Sequence, residues 1–352
     1  MTLTPRSGIL AAGNWLVDHT KLLDAWPPQD ALANIIAESW GNGGSPYNIL
    51  KNLSRLGAAW PLTGIGLVGA DADGERILAD CRAHAIDTAQ LHTTPDAPTS
   101  YSDVMTDSRT GRRTFFHQRG ANALLAPEHF DFTTQRATSA RIFHIGYILL
   151  LDRLDEPVSS AETAPARPRI CEVLRDARAA GLLTSLDCVS ENSDRFRTIV
   201  RPALPDVDVL FVNDFEAGKL TGSDLCSTGK TDRSDVGKAV RAIAGFGVRR
   251  HVIFHAPDAA CALSAEGTLH WQPSLRVPPS AIRGTAGAGD AFAAGVLYGL
   301  HEDWPIADSL RLGVCTAAAC LGSPTCSDSI PSLQETLGLA ETWGFRSLPP
   351  LA

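Results

Sequence analysis

Residues 284–292 read Gly-Thr-Ala-Gly-Ala-Gly-Asp-Ala-Phe. Three glycines and two alanines ahead of Asp290 leave the backbone bare, and an apolar helical pattern (Phe292, Val296, Leu297, Leu300) starts directly behind it. A bare loop feeding a helix presents unpaired N–H groups and the positive end of the helix dipole, a site for phosphate or another anion. A carboxylate beside such a site would repel the anion. Asp290 makes chemical sense there as a base that takes a proton from the group attacking phosphorus. A plainer reading makes the glycines a tight turn and Asp290 an ordinary helix cap. The run is neither the G-x-x-x-x-G-K-[ST] nucleotide loop, since no Lys-Ser/Thr follows, nor G-x-G-x-x-G.

Two further clusters place polar groups at element ends. Gly41-Asn42-Gly43-Gly44-Ser45-Pro46-Tyr47-Asn48 runs a glycine turn into a helix start. Bare backbone at Gly43 and Gly44 admits a polar ligand, and Asn48 offers donors and acceptors suited to hydroxyl groups. Asp18 follows the first strand, where one carboxylate can accept from two hydroxyls. Asn213-Asp214-Phe215-Glu216 ends a buried strand, at the edge where ligands collect in open α/β sheets. Glu216 can hold Mg²⁺ there, directly or through water. The competing reading is an Asx turn and an acid-rich first helical turn.

The elements that must position these groups alternate between short apolar runs and helical patterns, which predicts an α/β fold with a largely parallel sheet. Strands are expected at Ile9–Ala12, Leu62–Val68, Ile142–Ile145, Leu182–Leu186, Val207–Val212 and His251–Phe254. Helices are expected at Ser45–Leu56, with Ser45 as cap and Pro46 in the first turn, and at Gly74–His84. Ala33–Ser39 and Ser100–Phe116, the latter with a turn at Ser108–Gly111, break this rhythm and read as a small separate sheet, a lid. Residues 152–169 read as a surface loop, and the tail from Ser347 as loosely held.

The chain has 352 residues, 44% hydrophobic and 20% charged, enough for a large core; length alone suggests about two domains. A net charge of −8 argues against a general nucleic-acid or anionic-membrane surface. Eight cysteines (81, 171, 188, 226, 261, 315, 320 and 326) form no C-x-x-C pair, which points to reduced buried thiols and the cytosol. Arg6 is the only early positive charge, and Asn14 and Asp18 interrupt the apolar run, so no signal peptide is expected. No stretch reaches the length of a membrane span.

Taken together, these motifs resemble the ribokinase-like (PfkB) family of carbohydrate kinases over about residues 13–331. Gly43, Gly44, Asn48, Leu53, Leu56 and Gly57 match the family's Gly-Gly, Asn, Leu-x-x-Leu-Gly pattern. Gly66, Gly69, Asp71 and Gly74 match the following glycine pattern. Arg113-Thr114 and Gly120-Ala121-Asn122 look like the end of its lid hairpin. Asn213 and Glu216 match Asn-x-x-Glu, followed by Leu220-Thr221-Gly222, and Thr285 to Phe292 meet its Gly-rich signature. The resemblance implies one domain over 1–352, with a central mostly parallel sheet, helices on both faces, and a β lid formed by about 14–40 and 98–120. It implies transfer of the γ-phosphate of ATP to a sugar or nucleoside hydroxyl with Mg²⁺. Asp290 would be the base and Gly287, Ala288 and Gly289 the anion hole. Asp18, Gly43, Gly44 and Asn48 would hold the sugar, and Asn213, Glu216 and Thr285 the nucleotide phosphates and metal. A homodimer through the lid is a further expectation.

The departures from the pattern fall on the nucleotide side. Gly284 stands where the family usually has Asp, which leaves monovalent-cation activation open. Phe254-His255-Ala256-Pro257-Asp258 replaces a Thr-x-Gly, and Thr325-Cys326-Ser327-Asp328 lacks the Gly-Ala common near the adenine. They motivate a second class of function, a sugar sensor that has lost transfer, beside the sugar kinase and the nucleoside kinase. His255 is read as a phosphate or ribose contact or a structural residue, Asp187 as pocket lining or core, and Asp152 as a residue near the sugar. Trp15 and Tyr47 are read as ring-stacking groups or core.

Overall fold

The computed structural model describes residues 6–158, 166–225 and 231–351. Its main sheet has nine strands, in the spatial order Leu269–Pro273, Ala259–Ser264, His251–His255, Val209–Val212, Leu183–Cys188, Ile142–Ile148, Ile9–Gly13, Leu62–Gly69 and Ile86–Thr94. The seven strands from His251–His255 onward are parallel, and the two beyond it are antiparallel. Alternation of side chains along a strand feeds two cores. Leu10 and Ala12 join one buried cluster with Phe143, Leu186 and Leu210. Ile9 and Ala11 join another with Leu50, Phe211 and Phe292 on the opposite face. Helices therefore cover both faces, as expected of strands that are apolar throughout.

A separate four-stranded sheet, ordered Ile35–Gly43, Leu16–Leu23, Ser100–Asp107 and Arg113–Gln118, corresponds to the segments that break the βα rhythm. Leu16–Leu23 was not recognisable as a strand, because Asp18, His19, Thr20 and Lys21 interrupt its apolar residues. The strands Ile86–Thr94, Ala259–Ser264 and Leu269–Pro273 also escape sequence reading. Asp, Gln and His interrupt the first, small alanines fill the second, and the third is short with His and Gln among its five residues, so none shows the apolar β-branched run that marks a strand. Residues 152–169 are more than a loop. Asp152–Asp155 is one helical turn, and Pro157–Val158 pairs with Arg167–Pro168; 159–165 lie outside the described residues. The tail has no helix or strand, but Pro350 accepts a hydrogen bond from the Arg233 N–H. Seven cysteines are free and buried, and Cys226 lies outside the described residues. No described helix is long and apolar enough to cross a membrane.

The Ser45–Leu56 helix forms as its apolar spacing predicts, but its cap is Gly44, not Ser45. Gly44 has φ 92°, and a Cβ there would stand 1.8 Å from the Asn14 carbonyl oxygen. Only glycine fits a position with both constraints. At the other end Gly57 has φ 86°, yet a Cβ there meets nothing within 4 Å. Gly57→Ala is therefore expected to cost about 1–2 kcal/mol, the left-handed penalty alone. Gly44→Ala is expected to cost more than about 3 kcal/mol, because a clash is added. Denaturant midpoints of the two variants check this; equal shifts would show that the close approach to Asn14 does not constrain the fold.

Candidate active site

The Ala288–His301 helix starts behind Gly287, which caps it with φ 73°. A Cβ on Gly287 would stand 2.5 Å from the Cys326 Cβ, so glycine is required by both space and φ. The cap is thus Gly287, and Asp290 is a buried first-turn residue, not an N-cap. Its Oδ2 accepts from Asn48 Nδ2 at 2.7 Å and from Tyr147 Oη at 2.8 Å. Its Oδ1 is buried and makes no hydrogen bond among the described residues. Burial pushes the Asp290 carboxyl up, while the bonds from Asn48 and Tyr147 pull it down. The result is an anchored carboxylate with one oxygen free to take a proton, beside the unpaired N–H groups of a helix start.

A cavity of about 380 Å³ opens over this group. Asp18, Gly44, Asn48, Thr285, Gly287, Ala288, Gly289, Asp290, Asn213 and Glu216 all line it, so the structure gathers nearly every residue singled out from sequence. Gly43 does not line it. Its missing side chain serves Asp18 instead, because a Cβ there would stand 2.4 Å from Asp18 Oδ2. Asp18 follows the first strand, as read from sequence, and sits within the Leu16–Leu23 strand of the small sheet. Burial, and then the Asp290 charge, push its carboxyl up to about 7. Arg113, on the Arg113–Gln118 strand, donates to Thr285 Oγ1, a direct tie between the small sheet and the Gly-rich loop.

Asn213 and Glu216 form a capping box on the Asp214–Thr221 helix. Glu216 Oε2 accepts from the Asn213 N–H at 3.0 Å and Oε1 from Ser190 Oγ at 2.9 Å. The capping reading is therefore correct for this pair, and the buried Glu216 faces the cavity as well. Burial pushes Glu216 up to about 7. Asp187 also lines the cavity; burial, then Glu216 and Asp290, hold its carboxyl well above the usual range. Three buried, mutually repelling carboxylates form a hard-oxygen surface that suits Mg²⁺. Among the described residues no three such groups stand close enough to cage a metal by themselves. A magnesium ion would then take its remaining ligands from phosphates and water.

A second cavity of about 390 Å³ lies on the other side of the Gly-rich loop. Leu275, Val277, Ile282, Val314, Ala318 and Leu321 give it apolar walls, and Asn213, Thr285, Ala288 and Gly289 border both cavities. His255 also borders both. Its ring lies 5.2 Å from that of Phe292, and burial lowers it to about 4, so it is neutral near pH 7. Cys326 stands on the Asp18 side, its Sγ 3.9 Å from Asp18 Oδ2, not by the apolar cavity where 325–328 was expected. At Gly284 a Cβ would meet the Ser323 carbonyl oxygen at 2.7 Å; neighbouring backbone fills the space a side chain would need.

Trp15 and Tyr47 are core residues. Trp15 donates to the Ile65 carbonyl and Tyr47 donates to Asp80; neither lines the cavity. Asp152 pairs with Arg119 outside it. Sequence reading missed Tyr147, Ser102, Phe115, His117 and Leu150, which do line it. Tyr147 has φ 60°, a left-handed conformation uncommon outside glycine. No motif marks it. Its place at the carboxyl end of a central parallel strand was the one available signal.

The chain matches the family model described as pfkB family carbohydrate kinase over residues 16–333. It is 25% identical over 311 residues to a 5-dehydro-2-deoxygluconokinase of Geobacillus kaustophilus, covering 83% of this chain and 82% of that one. Among solved structures it is similar to Arabidopsis thaliana ribokinase complexed with ribose and ATP, with a TM-score of 0.74, 19% identity and coverage of 95% and 98%. It is also similar to the Giardia lamblia ribokinase, with a TM-score of 0.78, 18% identity and coverage of 96% and 99%. The structural likenesses establish the ribokinase-like fold. The family model covers most of the sequence: this chain belongs to the pfkB family of carbohydrate kinases.

Proposed function

We propose that this kinase transfers the γ-phosphoryl group of ATP to a hydroxyl of a small sugar. The observation that carries the reading is Asp290, whose free, buried Oδ1 lies beside the helix start that separates the two cavities. The sugar occupies the cavity of Asp18 and Asn48, and the adenine the apolar one. Asp290 Oδ1 takes the proton as the sugar oxygen attacks the γ-phosphorus. The bond from that phosphorus to the oxygen bridging it to ADP breaks, and ADP leaves with the electron pair. The N–H groups of Gly287, Ala288 and Gly289 hold the charge that spreads over the phosphoryl oxygens. Asn213 and Thr285 border both cavities and Glu216 lines the first, and all three serve the phosphate end. Glu216, through water, would hold magnesium together with the phosphates, and the ion would supply charge neutralisation. The small sheet closes the sugar cavity from water, a competing acceptor. The relatives' name points to a sugar acid as one acceptor class, and a nucleoside is another. A roomy apolar cavity on the nucleotide side speaks for transfer and against a sensor, despite the changes at His255 and Gly284.

The small sheet also exposes Ile35, Ile36, Trp40, Phe115 and Phe116, with Leu32 in the connection before Ile35, each more than half exposed. Apolar groups gathered on one sheet mark an interaction surface, and a second copy of the chain is the proposed occupant. The working unit is a single α/β domain with this sheet as lid.

Four outcomes test these readings. Asp290→Asn is expected to lower kcat about 10²–10⁴-fold in ADP release across a sugar panel, and retained turnover would remove Asp290 as base. Activity should fall as pH drops, because raised carboxylates lose their basic forms at higher pH than ordinary ones; for free enzyme the limb is expected near the value of Asp18, about 7. Tyr147→Phe removes a bond that lowers Asp290, so an Asp290 limb in the kcat profile should move to higher pH; an unmoved limb would show that this bond does not tune the carboxyl. Finally, Ile36→Asp with Trp40→Asp should convert a dimer to a monomer in sedimentation; a monomeric parent protein would end the dimer proposal.

A further inference from the structure

Behind the Gly-rich loop lies a segment with little backbone structure of its own. Residues 321–332 form no helix or strand, and among the described residues no backbone–backbone hydrogen bond involves 324–331. Yet the segment packs on three parts of the site. The Ser323 carbonyl oxygen and Pro324 fill the space beside Gly284, and the Cys326 Cβ and carbonyl oxygen stand 2.5 and 2.9 Å from where a Gly287 Cβ would be. Cys320 Sγ lies 3.4 Å from the Ala286 carbonyl oxygen and 3.1 Å from that of Cys326, bridging the two loops. Cys326 Sγ stands 3.9 Å from Asp18 Oδ2. The Thr325 methyl would meet a Cβ on Gly41 of the small sheet at 3.6 Å. The N–H groups of 287–289 can hold one direction only while this segment stays in place.

Side chains, not backbone, hold it there. Lys51 lies three residues beyond Asn48 on the Ser45–Leu56 helix, on the same face, and is only 6% exposed. Its Nζ lies 2.8 Å from Asp328 Oδ1, 2.9 Å from Tyr47 Oη and 3.4 Å from Asp80 Oδ2. An ammonium has three N–H donors, and three oxygens surround this one. Asp328 Oδ2 accepts from Thr325 Oγ1 at 2.7 Å, and Thr325 Oγ1 lies 2.8 Å from Ser323 Oγ. Arg55, one turn further along the same helix, donates to the Ile330 carbonyl at 2.8 Å and fixes the far end of the segment. A buried ammonium that loses a carboxylate partner is left uncompensated, so the pairing resists opening. One helix thus holds the Asp290 carboxylate through Asn48 and the segment behind the Gly-rich loop through Lys51. We propose that Lys51 is a positioning residue for phosphoryl transfer: through Asp328 it holds 323–328 against Gly284 and Gly287 and so sets the aim of the N–H groups at 287–289. This rests on the role given above to those N–H groups and adds the group that keeps them in place.

The experiment compares Lys51→Met, Asp328→Asn and Asp80→Asn in the full-length protein. The first removes the charge and keeps most of the volume. The second cuts the ion pair at the segment. The third disturbs the same ammonium but leaves its bond to the segment. ADP release with MgATP and the sugar identified by the panel gives kcat and KM, and denaturant midpoints give stability. Hydrogen exchange read by mass spectrometry reports on 284–290 and 321–331 without turnover. Lys51→Met and Asp328→Asn are expected to lower kcat about 10–100-fold, as misplacement of a catalytic group does, with KM for ATP within about threefold. Both segments should exchange faster in these two variants. Asp80→Asn should keep kcat within about threefold of the parent, whatever stability it loses. A parent-like kcat in Lys51→Met overturns the proposal, as does a kcat that falls in all three variants in step with their stability. Faster exchange confined to 321–331 also overturns it, because the two loops would then be uncoupled. A parent protein that releases no ADP with any sugar counts against the kinase reading alone. Exchange at 284–290 in Lys51→Met then decides the positioning role: faster supports it, unchanged sinks it.

Discussion

Two hydrogen bonds hold the buried carboxylate at the centre of this molecule's main cavity in place: Asn48 and Tyr147 both donate to Asp290 Oδ2. The three residues lie on a helix start, the end of a central strand and a second helix start, far apart in sequence. A buried carboxylate without donors would be costly and would protonate. Two donors on one oxygen keep it ionisable, fix its rotamer and leave Oδ1 free. The burial that raises Asp290 also excludes water from the place where water would compete as acceptor. Everything around the cavity is consistent with serving that one oriented group.

Charge is distributed unevenly about it. Asp187 and Glu216 crowd one side with Asp290, and Asp18 approaches from the small sheet. Facing them are the backbone N–H groups at helix starts and, beside Asp18, the Arg113 guanidinium, which lowers that carboxyl. Such a site favours ligands that bring cations with them, as a nucleotide with bound magnesium does, and donors, as hydroxyl groups do. The second cavity is apolar in its walls and polar only where it meets the first. One site thus has two halves with different solvents, joined at Gly287–Gly289, and a charged phosphate chain suits the junction.

The glycines at these points have distinct physical roles. Gly44 and Gly287 each combine a positive φ with a neighbour too close for a Cβ, the Asn14 carbonyl in one case and Cys326 in the other. Gly43 contributes only space, for the Asp18 carboxylate. Arg113 then ties the small sheet to Thr285. The cavity over Asp290 is therefore assembled from two sheets, and its shape depends on how one sits over the other.

Much of this was legible in the sequence because it rests on local rules. Apolar strands at the expected places, the helix after Pro46, and the glycine-to-aspartate step at 287–290 follow from periodicity and backbone freedom. Ordered together, those motifs resembled a family that the comparisons then established. What sequence could not reach depends on distance in the chain. Tyr147 carries no motif and meets Asp290 only because a parallel sheet aligns strand ends. Trp15 and Tyr47, plausible as stacking groups by position, turn inward to satisfy their N–H and O–H in the core. The polar strand carrying Asp18, and the edge strands rich in alanine and histidine, form through pairing with neighbours, not through propensity. The sequence by itself determined the family, the parallel sheet and the Gly-rich loop, since each is written in residues close together. Only the tertiary structure decided which polar groups share the cavity, because those groups come from segments far apart in the chain.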